Sequence, residues 1–335
     1  MKFLVTDHDF PDIDLETRLL REAGMEVAAA QCRTEDDVIA AGKGCAGFLT
    51  QYAPMNAKVF AALPEVRVVS RMGAGFDTVN VEDAKRHGVW VANSPDYGVG
   101  EVATHALGMA LSLVRHLAFY DRDVRAGNWH YTSAGKLRRV ANMTIGILGL
   151  GRIGKRMAQL SQPVFGNVVA CDPYIAEGDF PSYVRRVSLE ELFRESDVVS
   201  AHVPLNDETR GMIDLRKLSL MKQGSFLVNT ARGSVANLGD VLKALDSGRL
   251  EAAALDVLPK EPPEADHPVL RHPRVLLSPH AAFYSVEGDK ELRTKAAQNL
   301  IDWAKTGKPT YVVGEGETVA RPSPPWGALR QGEGE

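Results

Sequence analysis

Thr144-Ile145-Gly146-Ile147-Leu148-Gly149-Leu150-Gly151-Arg152-Ile153-Gly154 runs an apolar stretch straight into glycines at GxGxxG spacing. A short apolar run closed by glycine reads as a buried strand, and the residues after the glycines read as the start of a helix. Gly149, Gly151 and Gly154 let the backbone amides of Arg152 and Ile153 approach a pyrophosphate at that helix N-terminus. On its own this spacing also serves tight strand-to-helix packing. Asp172 narrows the reading: it stands 18 residues beyond Gly154, at the end of the next apolar run, where a carboxylate accepts from ribose hydroxyls. The same charge repels a 2′-phosphate, and Pro173-Tyr174-Ile175 bring no cation, so NAD is expected over NADP.

On either side of this turn, strands are expected at about 145–148, 168–171, 198–203, 226–229, 252–255 and 275–277, with short helical crossovers. This is the alternation of a complete Rossmann domain. An earlier series, at 3–6, 27–30, 46–49, 66–70 and 89–92, reads as a second open parallel sheet. Between the two series, residues 101–115 form an apolar helix rich in Ala, Leu and Met, expected to be buried between domains or subunits. Residues 290–305 are helical again, so the chain is expected to cross back. The fold class is therefore α/β, two doubly wound parallel-sheet domains with one inserted in the other: 1–98 and 286–335 around 99–285. The stretch from Gly314, rich in Gly, Glu and Pro, is expected to be loosely held, with Trp326 available to dock it.

A chain of 335 residues suits two domains, and a net charge of −4 supplies no global basic field for direct nucleic-acid binding. Cys32, Cys45 and Cys171 show no CxxC spacing, so reduced core thiols are expected and no metal site. The first residues lack the apolar run of a signal peptide, and no stretch reaches membrane-spanning length. A cytoplasmic protein without membrane contact is expected.

Three further stretches each bring an ionisable side chain out of a strand end or turn: Asn229-Thr230-Ala231-Arg232-Gly233, then 254–262 with Asp256 and Glu261, then Ser278-Pro279-His280. Arginine keeps its proton, histidine trades one near neutrality, and a glutamate beside it holds the charged form. Such a set reduces a ketone or oxidises an alcohol. Singly, each has a bland reading: a surface ion pairer, a solvated turn residue, a structural histidine like His202, His267 or His272.

The four motifs in this order resemble the D-isomer-specific 2-hydroxyacid dehydrogenase family over nearly the whole chain. The resemblance implies a Rossmann NAD-binding domain inserted into a flavodoxin-like substrate domain. It implies His280 as general acid/base, Glu261 as the carboxylate that contacts it, and Arg232 as the residue that binds the substrate carboxylate. Val203, Pro204 and Thr209 map onto the adenine side of the cofactor, and Thr230, Ala231, Arg232, Asp256 and His280 onto the nicotinamide side. Arg71-Met72-Gly73-Ala74-Gly75 matches the loop whose amides, at Gly73, Ala74 and Gly75, receive the substrate carboxylate. Arg71, the run from His280 to Ser285 and Asp172-Pro173-Tyr174 look most like the branch of C-terminal-binding-protein corepressors and their bacterial relatives, in which the position of Phe283 is commonly tryptophan.

The expected substrate is a small unphosphorylated 2-oxo or 2-hydroxy acid. A phosphate beside Tyr52, Tyr97 and Phe283 would lose hydration without an ionic partner, whereas an apolar side chain gains from those rings. A homodimer built on the cofactor domains is expected, with substrate domains closing to exclude water. Phosphoglycerate dehydrogenase shares the architecture. A dimeric NAD(H)-sensing scaffold does too, but has no physical need for the Arg, Glu and His set. Formate enzymes carry glutamine where this chain has Glu261. Val235-Ala236-Asn237 departs from the family's acidic residue, and Asn caps a helix nearly as well.

Overall fold

The computed structural model describes residues 1–317. The chain divides into two compact units, Met1–Tyr97 with the described residues from Val286 onward, and Gly98–Ser285.

The first unit opens with β1 (Lys2–Val5), α1 (Asp14–Glu22), β2 (Glu26–Ala29), α2 (Glu35–Gly42), β3 (Gly47–Thr50), α3 (Ala57–Ala62), β4 (Val68–Arg71), α4 (Val81–Arg86) and β5 (Trp90–Ala92). The second carries α5 (Val99–Val114), α6 (Leu117–Arg125), β6 (Thr144–Leu148), α7 (Arg152–Ser161), β7 (Asn167–Cys171), β8 (Arg185–Arg186), α8 (Leu189–Glu195), β9 (Val198–Ala201), α9 (Leu215–Leu220), β10 (Ser225–Asn229), α10 (Leu238–Asp246), β11 (Leu250–Leu255) and β12 (Val275–Leu277). The chain then returns to the first unit through α11 (Val286–Thr306) and β13 (Val312–Gly314).

In the first sheet the order is β13-β5-β4-β3-β1-β2, and in the second β12-β11-β10-β9-β6-β7-β8. These are the flavodoxin-like and Rossmann orders, each reversing direction beside its first strand, the point where open α/β sheets bind ligands. In the second sheet, Ile145 and Ile147 of β6 face α5 and α7, while Leu148, Val199 and Leu227 face α8 to α10. Both faces are covered, which is why these strands read as continuous apolar runs rather than alternating ones.

Three expectations change, on the surroundings of α5, the burial of Cys171 and the hold on the stretch after Gly314. α5 takes its burial from its own unit: Ala103, Ala106, Met109 and Ala110 pack in the core with Ile145, Met157 and Ala158. Cys171 is only half-buried, while Cys32 and Cys45 are buried; all three are free thiols. The stretch from Gly314 is tied down as far as Glu317, because β13 pairs antiparallel with β5. Glu317 N donates to Gly88 O at 3.0 Å, and Trp90 Nε1 donates to Glu317 O at 3.1 Å. Trp326 lies outside the described residues. Asn237 caps α10, its side chain accepting from Asp240 N. Among the described residues no single helix is long and apolar enough to cross a membrane.

Candidate active site

The glycine turn is shaped by close approach. Gly149 has φ +89°, and a Cβ there would lie 2.8 Å from Val203 Cγ1. A Cβ on Gly154 would fall 2.0 Å from Gly149 O, so only glycine lets α7 seat against the turn. Gly151 is the N-cap of α7 and no side chain caps it. The amides of Arg152 and Ile153 therefore open the helix toward a ligand, with the helix dipole favouring an anion.

Asp172 stands at the end of β7, where its two oxygens accept from Leu150 N at 2.8 Å and Tyr174 N at 3.0 Å. A cavity of about 790 Å³ is lined by Gly149, Gly151, Asp172, Val203, Pro204 and Thr209, six of the residues picked from sequence. The hydroxyl of Thr209 is spent inside its own loop, donating to Pro204 O at 2.6 Å. His202 also lines the cavity; burial pushes its pKa down to about 4, and its Nε2 lies 2.9 Å from Ser200 Oγ. It is a neutral structural histidine. Arg186, on the short β8 that sequence reading missed, shares the cavity wall, 3.9 Å from Glu177. A cation thus lines the same cavity as Asp172 though none follows it in sequence.

After β10, Asn229 fixes the next turn: its Nδ2 donates to Arg232 O at 2.9 Å and its Oδ1 accepts from Ala231 N at 3.0 Å. Thr230 Oγ1 is buried without a hydrogen-bond partner. A buried hydroxyl of this kind calls for a polar ligand group. With the uncapped N-terminus of α7 and the Asp172 carboxylate, it makes the donor and acceptor set fit a dinucleotide.

Glu261 bridges two partners, Oε1 accepting from Leu258 N at 2.7 Å and Oε2 lying 2.6 Å from His280 Nδ1. Burial alone would push this carboxyl up. The His280 hydrogen bond and charge, the Leu258 amide and the Arg232 charge outweigh it, and the net pKa is below the ordinary value. Glu261 is an anion beside the imidazole, which makes Nδ1 the protonated nitrogen and leaves Nε2 for chemistry. His280 sits at φ +53°, in the left-handed region, with its amide bonded to Asp256 O at 2.8 Å. Such a backbone costs on the order of 1 kcal/mol or more without glycine and persists where the surroundings enforce it. Phe283 stands edge-on to the His280 ring, centroids 6.1 Å apart. The carboxylate of Asp256 is filled by the turn itself, accepting from Ser278 Oγ, from Ala281 N at 2.9 Å and from Ala282 N at 3.0 Å.

The remaining sequence-derived residues lie in the first unit. Arg71 ends β4 and is buried; its Nε donates to Gln51 O at 3.2 Å. Gly73 has φ +151°, and a Cβ there would collide with the Arg71 guanidinium. Ala74 O accepts from Asn93 Nδ2 at 2.6 Å, holding the loop that leads into Gly75. Tyr52 is fixed twice: its amide donates to Asp7 Oδ2 at 2.5 Å and its hydroxyl to Asp9 Oδ2 at 3.1 Å. Partial burial and the Asp9 carboxylate push the hydroxyl up to about 12, so it stays protonated. Sequence reading missed Asp7 and Asp9, and it missed His105, the one histidine in the apolar run of α5. Among the described residues no group of three or more His, Cys, Asp or Glu side chains is placed to hold a metal ion.

Residues 107–282 match the family described as D-isomer specific 2-hydroxyacid dehydrogenase, NAD binding domain. The chain belongs to the D-isomer-specific 2-hydroxyacid dehydrogenase family. It is an NAD-dependent dehydrogenase. A glyoxylate reductase of Korarchaeum cryptofilum is 35% identical over 274 residues, 80% of this chain and 82% of that one. A D-3-phosphoglycerate dehydrogenase of Archaeoglobus fulgidus is 30% identical over 307 residues, covering 91% of this chain and 58% of the other. Among solved structures, the NAD-dependent formate dehydrogenase of Staphylococcus aureus in complex with NAD superposes with a TM-score of 0.85 at 26% identity, over 95% of this chain and 100% of the other.

Proposed function

We propose that this dehydrogenase interconverts a small unphosphorylated 2-oxo acid and its D-2-hydroxy acid, using NADH and NAD, with His280 as acid and base. The contact that carries the reading is the 2.6 Å approach of Glu261 Oε2 to His280 Nδ1. When bound, NADH supplies a hydride to the carbonyl carbon. Negative charge then gathers on the carbonyl oxygen, and His280 Nε2 gives that oxygen its proton. Glu261 holds the Nδ1 proton throughout and balances the imidazolium that precedes transfer. Arg232 offers the substrate carboxylate a two-pronged donor. In the oxidative direction His280 takes the hydroxyl proton back.

We assign the Gly98–Ser285 unit to the cofactor and the other unit to the substrate, whose carboxylate the Arg71, Gly73, Ala74 and Gly75 loop receives. Tyr52 and Phe283 supply ring surface for its side chain. Asp9, bonded to the Tyr52 hydroxyl, puts a negative charge beside that ring, which disfavours a phosphate there. Lys58, the nearby lysine in sequence, is engaged by Asp36 at 2.7 Å. The test is kcat/KM with NADH for hydroxypyruvate against 3-phosphohydroxypyruvate, flanked by glyoxylate and pyruvate. A clear preference for the phosphorylated compound overturns the substrate reading and favours phosphoglycerate oxidation.

The same unit supports a homodimer. Trp129 is 85% exposed, Tyr131 83% and Leu117 56%, a cluster of large apolar groups along α6 and the segment after it, and exposed apolar surface of this kind marks an interaction site. Sedimentation at micromolar concentration should give twice the chain mass; a fully active monomer contradicts it.

A further inference from the structure

The segment that carries His280 is gripped at both ends by one helix. Ser278 and Ser285 bracket it. Near the start, Ser278 Oγ lies 2.9 Å from His105 Nε2; at the end, Ser285 Oγ donates to Glu101 Oε1 at 2.9 Å. Glu101 and His105 are four residues apart, one above the other on the same face of α5. Neither is among the residues assigned to cofactor or substrate.

Counting protons fixes the direction of the first grip. Ser278 has a single hydroxyl proton, and it goes to Asp256 Oδ1. The serine oxygen can then only accept from His105, so His105 Nε2 carries a proton. The chain runs His105 Nε2–H to Ser278 O–H to the Asp256 carboxylate. The same carboxylate receives the Ala281 and Ala282 amides, the two residues directly after His280. Asp256 is almost fully buried, its side chain 1% exposed, and His105 Nε2 stands 3.7 Å from its Oδ1. A buried carboxylate that accepts three hydrogen bonds is held in one orientation, and it transmits that orientation to the turn. That turn needs such a hold, because His280 is not glycine and sits at φ +53°.

We propose that His105, acting through Ser278 and Asp256, is a positioning residue that keeps the left-handed turn of His280 in its reactive geometry, with Glu101 holding the far end through Ser285. The inference rests on the reading of His280 as the acid/base group. A lost positioning contact slows the proton transfer while leaving cofactor binding intact, since misplacement of a catalytic group by a fraction of an ångström is felt in the chemical step.

The test uses the full chain with NADH and its best 2-oxo acid. His105→Leu removes the donor, and Ser278→Ala cuts the same chain with a smaller perturbation. Each is expected to lower kcat about tenfold, the scale of one buried hydrogen bond, with the NADH Kd within about twofold of wild type. His105→Gln restores a side-chain N–H and should recover kcat to within about threefold. The double variant should be no slower than the worse single one, because both cut one chain. Wild-type kcat in Ser278→Ala, equal damage in His105→Gln and His105→Leu, or additive losses in the double variant each overturn the proposal. His280→Ala run beside them separates the two claims: if it is slow while His105→Leu and Ser278→Ala are normal, only the positioning role falls, and if it is unimpaired the acid/base reading itself falls.

Discussion

Glu261 touches His280 through one carboxylate oxygen and the Leu258 amide through the other, so the anion is anchored to the backbone before it orients the imidazole. The carboxyl is held below its ordinary pKa, burial opposing and His280 and the Leu258 amide prevailing. It therefore stays ionised across the neutral range.

Reduction requires His280 to point a proton at the carbonyl oxygen, and Glu261 holds the ring through Nδ1. Glu261→Gln keeps the shape but removes the anion, and kcat should fall about tenfold or more with the NADH Kd preserved. A wild-type kcat in Glu261→Gln contradicts the pairing as part of the proton-transfer machinery.

Two residues that line one cavity, Asp172 and Arg186, bear opposite charges toward a 2′-phosphate. Asp172 opposes a 2′-phosphate, and a repulsion worth about 1.4 kcal/mol already gives a tenfold preference for NADH over NADPH. Arg186 also lines the cavity, and a cation there attracts the same phosphate. Asp172→Ala should cut the preference at least about tenfold, and Arg186→Ala should increase it. Equal use of both cofactors by the wild-type protein sinks the assignment.

Stability of the first unit leans on a buried ion pair. Arg293 on α11 donates to both oxygens of Glu16 on α1, at 2.7 and 2.8 Å, and also to Asp12 O at 2.8 Å. Its guanidinium lies 4.9 Å from the Phe10 ring centroid. Glu16 is fully buried, so Glu16→Ala removes two charged hydrogen bonds from Arg293, leaves it to Asp12 and Asp289, and should cost about 2–3 kcal/mol in urea unfolding. Glu16→Leu with Arg293→Met should recover most of that. A loss below about 1 kcal/mol for Glu16→Ala refutes the stabilising role of the pair.

Much of this was legible in the chain because doubly covered parallel strands announce themselves as apolar runs, and because Gly149, Arg232 and His280 follow closely on β6, β10 and β12, where chemistry is placed, with Gly154 in the first turn of α7 and Glu261 in the loop after β11. The features that were not legible depend on space rather than pattern. The two residues of β8, Arg185 and Arg186, are too few to show a period, so the cation that shares a cavity with Asp172 was invisible. β13 joins its sheet through backbone pairing with β5, which leaves little mark on composition. α6 is a short amphipathic helix with no buried residue, so no core stripe marks it in the sequence. His105 was the readable exception: a ring nitrogen inside an apolar helical run needs a polar partner, and Ser278, 173 positions later, is that partner.

The most direct measurement is single-turnover oxidation of NADH by the preferred 2-oxo acid in wild type and His280→Ala, with NADH binding followed separately. If His280 supplies the proton, the variant is slower by roughly 10²- to 10⁴-fold, with the NADH Kd largely preserved. Turnover by His280→Ala at the wild-type rate would contradict that role, because another group would then supply the proton.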